Sequence, residues 1–124
     1  MLAPKRILVT EKKDALTLEY EQQMFNLSAE YLRVFSPSAE VRGHGQGQQV
    51  LQFGKHYVRI DSVVQSGNYA IQIIFSDGHD SGIYSWDYLF DLGANYHQNW
   101  SAYLDQLYRA GKSREPDTQV VKIL

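Results

Sequence analysis

The 124 residues contain no cysteine. That absence excludes disulfides, thiolate nucleophiles and thiolate-ligated metals, although it does not fix a compartment. Long apolar runs are also missing. No window approaches the ~20 apolar residues that cross a bilayer. The opening Met1-Leu2-Ala3-Pro4-Lys5-Arg6 lacks the apolar stretch of a secretory signal. The expectation is a cytoplasmic protein with no membrane association. An excess of positive charge is lacking too. Twelve basic and 14 acidic residues give a net charge of -2. With no large positive field to hold a phosphate backbone, a nucleic-acid partner is not expected.

What is present suits one folded domain. Hydrophobic residues make up 44% and charged residues 21%, ordinary values for a globular chain of this length. Nine tyrosines serve equally well in half-buried sheets and in binding surfaces. Ile7 to Thr10 form a short β-branched run. Leu16, Leu18 and Tyr20 then alternate with polar residues, so residues 6–20 predict a β-hairpin. Phe25-Asn26-Leu27 leads into a short helix capped by Ser28 and stopped before Pro37. Residues 36–49 are irregular. The alternating glycines from Gly43 to Gly47 lack the flanking strand, helix and Lys-Ser/Thr of a phosphate-cradling loop, and read as a plain loop.

Tyr57 to Val64, Tyr69 to Phe75 and Ser81 to Tyr84 predict a three-stranded antiparallel meander, turned at Ser66-Gly67-Asn68 and at Asp77-Gly78. Ser85 caps a helix whose Trp86, Leu89 and Phe90 face the core, with Gly93 placed to end it. A last helix is predicted from about Asn99 to Ala110. Its apolar face comprises Trp100, Tyr103, Leu104, Leu107 and Tyr108, and Gly111 follows it. The fold class is therefore α+β: one domain over residues 1–111, with an antiparallel sheet of about five strands and about three short helices. Residues 112–124 are expected to form a flexible tail, although the apolar Val120 to Leu124 could dock.

Chemistry is sparse. His44, His56, His79 and His97 show no i, i+4 pair for a helical metal site, and no Gly-X-Ser-X-Gly elbow presents a serine nucleophile. Asp77 and Asp80 suit turn chemistry, in which Asp bonds its own backbone. His79 is harder to explain, because an Asp-Gly turn does not need a histidine next to it. It has three possible roles: bonding an acid, bonding the 36–49 loop, or contacting a partner.

The run Phe75-Ser76-Asp77-Gly78-His79-Asp80-Ser81-Gly82-Ile83-Tyr84, with Val64 and Gly67-Asn68-Tyr69-Ala70 before it, resembles the domain-of-unknown-function 971 family. That family is similar to the N-terminal domain of γ-butyrobetaine hydroxylase. The resemblance spans about residues 10 to 93. It implies a structural zinc site of three cysteines and one histidine, the cysteines following a Leu-Arg pair. Here the pair is Leu32-Arg33, and the cysteine positions fall on Ser36, Ser38 and Val41, with His79 as the histidine. Serine hydroxyls are poor zinc ligands and valine has none to offer, so no metal and no cofactor are expected. The iron and 2-oxoglutarate chemistry of the hydroxylase belongs to a separate catalytic domain, and the resemblance implies a fold and not an activity. Relatives fused to iron–sulfur carrier ATPases, or encoded near polyhydroxyalkanoate synthesis genes, suggest an accessory role.

The expected function is therefore a non-catalytic accessory or adaptor domain that binds another protein. Candidate binding residues are Asp77, His79, Asp80 and Tyr84 on the hairpin, with Arg33, Arg42 and His44 on the loop side. One alternative is a small-ligand module at the Asp77-to-Tyr84 hairpin. Another is a hidden metal or catalytic site that recruits His44 or His56. Loss of the thiolates predicts that protein purified without a histidine tag carries no stoichiometric zinc by metal analysis. Stoichiometric zinc whose removal by chelator unfolds the domain would contradict this.

Overall fold

A computed structural model describes residues 2–43, 47–116, 121 and 123. Among these residues six strands form two antiparallel three-stranded sheets. The first contains β1 (Arg6–Val9), β2 (Ala15–Glu19) and β3 (Met24–Ser28), and the second β4 (Ile60–Ser66), β5 (Ala70–Phe75) and β6 (Ile83–Ser85). Four helices accompany them: α1 (Ala29–Val34), the single turn α2 (Ala39–Arg42), α3 (Trp86–Ala94) and α4 (Tyr96–Ala110). The Ile60 N–H donates to the Lys13 carbonyl at 2.8 Å and joins the sheets. Leu16 and Leu18 of β2, Ile71, Ile73 and Phe75 of β5, and Leu89 and Leu92 of α3 close one core around α1.

The hairpin predicted over residues 6–20, the meander and the α+β class are all present. The expected single sheet of about five strands is instead two sheets of three, because Met24 to Ser28 is a strand and not a lead-in to a helix. Phe25 and Leu27 pair with Leu18 and Leu16 across the sheet. Ser28 ends that strand and caps α1, its Oγ accepting from the Tyr31 N–H at 3.0 Å. Ser85 does the same for α3 through the Tyr88 N–H at 3.1 Å, and Trp86 is buried with its indole N–H on the Asn68 carbonyl.

Gly93 does not end α3, which continues to Ala94. A Cβ at Gly93 would stand 2.4 Å from the Phe25 ring. The glycine is therefore where strand β3 and helix α3 touch, a packing role that outweighs its poor helix propensity. The face expected of α4 is only partly used: Tyr103 and Leu107 are buried, whereas Leu104 and Tyr108 are exposed.

Helix α1 has six residues, too few to be stable alone, and all six are buried. Two of them carry charge, Glu30 at 5% and Arg33 at 7% exposure. Each must be paired, since an isolated buried charge is strongly unfavourable. Glu30 receives both arms of the Arg114 guanidinium at 2.7 and 2.8 Å. Arg114 also lies over the Trp100 ring. The Gly54 N–H donates to Ser113 and the His56 N–H to Arg114, both through carbonyls.

Ser113 and Arg114, within the stretch expected as a tail, make these contacts with the domain. A buried carboxylate needs the arginine that this polar, proline-containing stretch supplies. Val121 and Ile123 are exposed, and positions 117–120, 122 and 124 lie outside the described residues.

Replacing Arg114 by Ala should destabilise the fold by roughly 2–3 kcal/mol. That is less than the ~3–5 of a fully buried pair, because Arg114 is itself partly exposed. Chemical denaturation measures it. An unchanged midpoint would mean that Glu30 finds another partner.

Candidate functional site

The β5–β6 turn points its chemistry inward. Gly78 donates its N–H to the Phe75 carbonyl at 3.0 Å, and Asp77 Oδ1 accepts the His79 N–H at 3.2 Å. This local turn presents the His79 ring to the segment that follows α1. Ser36 Oγ lies 2.9 Å and Ser38 Oγ 3.3 Å from His79 Nε2, and Glu40 Oε2 of α2 lies 3.3 Å from Nδ1. A carboxylate can only accept, so Nδ1–H donates to Glu40 and Nε2 accepts from the serine hydroxyls. Burial, followed by the nearby Arg33 charge, pushes the His79 pKa below 6.5, partly opposed by Glu40 and Asp77. The ring is therefore neutral at neutral pH.

Serine, histidine and carboxylate in file is the order of an acyl-transfer triad. Access decides against that chemistry. Ser36 is 1% exposed, and the Gly82 backbone is packed so closely that a Cβ there would stand 2.6 Å from Ser36 Oγ. No acyl group could reach the hydroxyl. The cluster is a buried hydrogen-bond network joining the hairpin to α2. Three of the four positions grouped by the resemblance, Ser36, Ser38 and His79, meet in it. The fourth, Val41, is buried on α2.

The other expected binding residues are mostly engaged elsewhere. Asp77 Oδ2 accepts from Arg33 Nε at 2.9 Å and Lys55 Nζ at 2.6 Å. Burial would raise the Asp77 pKa, but the bonds from Lys55, the His79 N–H and Arg33 outweigh it and hold the carboxyl at about 2. Tyr84 is fully buried, with its hydroxyl on the Leu32 carbonyl. Asp80 is exposed, and its carbonyl accepts from Gln72. Arg42 is exposed and stands 4.8 Å over the Tyr88 ring. His44 lies outside the described residues. His56 pairs with Glu115 and stacks on Tyr57, and His97 is exposed. Among the described residues no group of three or more His, Asp or Glu side chains is arranged to hold a metal.

The feature that sequence reasoning missed is a cleft of about 1050 Å³ between α1, α2, α4, the 49–52 segment and Tyr88 of α3. Val34, Phe35, Val41, Val50, Leu51, Tyr88 and Tyr103 form its apolar wall. Arg42, Gln49, Gln52, Gln106 and Arg109 edge it. The Tyr88 hydroxyl donates to the Phe35 carbonyl and the Tyr103 hydroxyl to the Gln52 carbonyl, at 2.5 and 2.7 Å. Burial raises both phenol pKa values, so neither can act as a base near neutral pH. One wall, α2, is held by the Val50 N–H on the Val41 carbonyl and by the His79 network at Ser38 and Glu40. A smaller cleft of about 350 Å³ beside Glu30 and Trp100 holds opposite charges already paired with one another. Neither cleft is lined by Asp77, His79, Asp80 or Tyr84.

Comparison with known proteins gives a consistent family. The sequence pattern described as "Gamma-butyrobetaine hydroxylase-like, N-terminal" matches residues 7–90. A protein solved by NMR in solution is 48% identical and superimposes with a TM-score of 0.86, over 100% of this chain and 98% of its own. Another NMR structure is 41% identical, with a TM-score of 0.79 over 100% of this chain and 94% of its own. A crystal structure of a protein of unknown function from Acidithiobacillus ferrooxidans, assigned to the DUF971 family, is 34% identical. Its TM-score is 0.61, over 73% of this chain and 92% of its own. Among curated proteins none matches.

His79→Ala should lower stability by about 1–3 kcal/mol at neutral pH, because Ser36, Ser38 and Glu40 lose a shared partner. Below pH 6.5 the unfolded histidine takes up a proton that the folded one resists. The His79 contribution is therefore full above pH 6.5 and is lost as pH falls. The Asp77 contribution is lost only below about pH 4, as the unfolded carboxyl titrates. Denaturation midpoints across pH 5–7 should slope in the parent protein and flatten in His79→Ala. Equal slopes would remove His79 from the stability of the fold.

Proposed function

We propose that this chain, which belongs to the gamma-butyrobetaine hydroxylase-like N-terminal family, is a non-catalytic accessory domain that binds another protein through the cleft between α1, α2 and α4. The observation that carries this reading is the contrast between two surfaces. Of the hairpin groups that could do chemistry, His79 and Tyr84 are bonded and buried, Asp77 is held by Arg33 and Lys55, and Asp80 is exposed with its carboxylate uncommitted to the cluster. The cleft instead offers apolar and aromatic side chains with an amide and guanidinium edge, the composition of an interface core and rim. No catalytic domain is evident in the chain. Among the described residues no helix is long and apolar enough to cross a membrane.

Internal pairing of Asp77 and His79 weighs against a small-ligand site at the hairpin, since a ligand would have to displace Arg33, Lys55 and Ser36 from them. Val50 is exposed at the edge of the cleft, where a partner can reach it without rearrangement of the core.

Site-specific photo-crosslinking tests the reading. A crosslinking residue at Gln49 or Gln106, both on the cleft edge, should yield a discrete protein adduct in extract of the native cell. The same residue at Gln65, exposed on β4, should not. Identical adducts from all three positions, or none from Gln49 and Gln106, would defeat the proposal.

A further inference from the structure

We infer that the segment carrying Val121 and Ile123 closes onto the cleft of its own chain and competes there with the partner. Such closure rests on the protein-binding reading above and adds its regulation. Val121 is 76% and Ile123 81% exposed. They stand two positions apart, so in an extended chain both side chains point to the same side. Two apolar groups presented together to water gain free energy by covering apolar surface elsewhere.

The path of the chain puts the cleft within their reach. After α4 the backbone is tied to the 54–56 segment, with the Gly54 N–H on the Ser113 carbonyl and the His56 N–H on the Arg114 carbonyl. Arg114 is held further by its two bonds to Glu30. Pro116 then crosses Gly54 so closely that a Cβ there would stand 3.2 Å from Pro116 Cα. Gly54 is two residues beyond Gln52, which lines the cleft, a backbone span of about 7 Å at most. Val121 is five residues and Ile123 seven residues after Pro116, spans of up to about 17 and 24 Å. Both can therefore meet Val41, Val50 and Leu51 of the cleft while Arg114 stays paired.

The surface on the way is apolar. Phe53 and Val50 are each about half exposed, with Leu51 half-buried between them. A short tether holds the segment at an effective concentration on the order of mM. Contacts too weak to capture a free peptide then suffice for closure, and a tighter partner displaces the segment. The structure records the open arrangement, with Val121 and Ile123 in solvent.

Photo-crosslinking of the purified full chain tests this. A crosslinking residue at Gln49 or Gln106 should join the tryptic peptide of residues 115–122, and one at Gln65 should do so far less. Val121→Asp/Ile123→Asp changes only exposed positions and should lower that yield about fivefold or more. In extract of the native cell the same double variant should raise the yield of the partner adduct. Absence of the 115–122 adduct, or a yield equal in the double variant, would overturn the closure and leave the protein-binding reading to its own adducts. So would adducts that join labelled to unlabelled copies in an isotope-mixed sample. Closure with a partner yield indifferent to the double variant would overturn the competition. Closure with no partner adduct from either form would overturn the protein-binding reading and leave the closure standing.

Discussion

The rest of the structure depends on one unfavourable arrangement, a six-residue helix buried along its whole length with a carboxylate and a guanidinium on it. Neither charge can be left alone in the core. Glu30 reaches one way to Arg114 and Arg33 the other way to Asp77, so two distant parts of the chain are fixed to α1. The helix also ends inside the protein, where its last carbonyls have no helical partners. Tyr84 and Tyr88 donate their hydroxyls to Leu32 and Phe35 and satisfy carbonyls at that end. Four side chains from the β6–α3 side and the C-terminal side thus serve a helix of two turns.

Fixing Asp77 to Arg33 sets the hairpin tip against α1, and His79 is then carried into contact with Ser36, Ser38 and Glu40. The same network holds α2, the element that brings Val41 and Arg42 to the cleft. His79 therefore bears on the cleft through the placement of α2, and the histidine itself stays covered.

Signals that act within a few residues were legible in the sequence. The Ser28 and Ser85 caps, the Asp77-Gly78 turn and the alternation in β2 each declare their structure locally. Arg33, Asp77 and His79 were singled out, and the resemblance grouped Ser36, Ser38 and His79. The inward direction of these groups was not legible, because nothing in a turn motif says which side the core lies on. Gly93 looked like a helix terminator because its true reason, the Phe25 ring, is far away in sequence. The polar segment around Arg114 looked loose for the same reason. Its partner Glu30 gave no sign of being buried, since acidic residues in a first turn are ordinarily exposed. The cleft was the least legible of all, being assembled from five separate segments.

The pairing of Glu30 with Arg114 spans 84 positions, and this separation bears on how the chain comes to be folded. During synthesis Glu30 leaves the ribosome long before its counter-ion exists. Until then, burying α1 would strand a carboxylate in apolar surroundings, so the nascent N-terminal hairpin cannot close its core cheaply. Contacts of such range also slow folding, because a long loop must be closed before they form. Closure of the core around α1 is thereby coupled to the arrival of Arg114, so the N-terminal hairpin and the segment after α4 become ordered together.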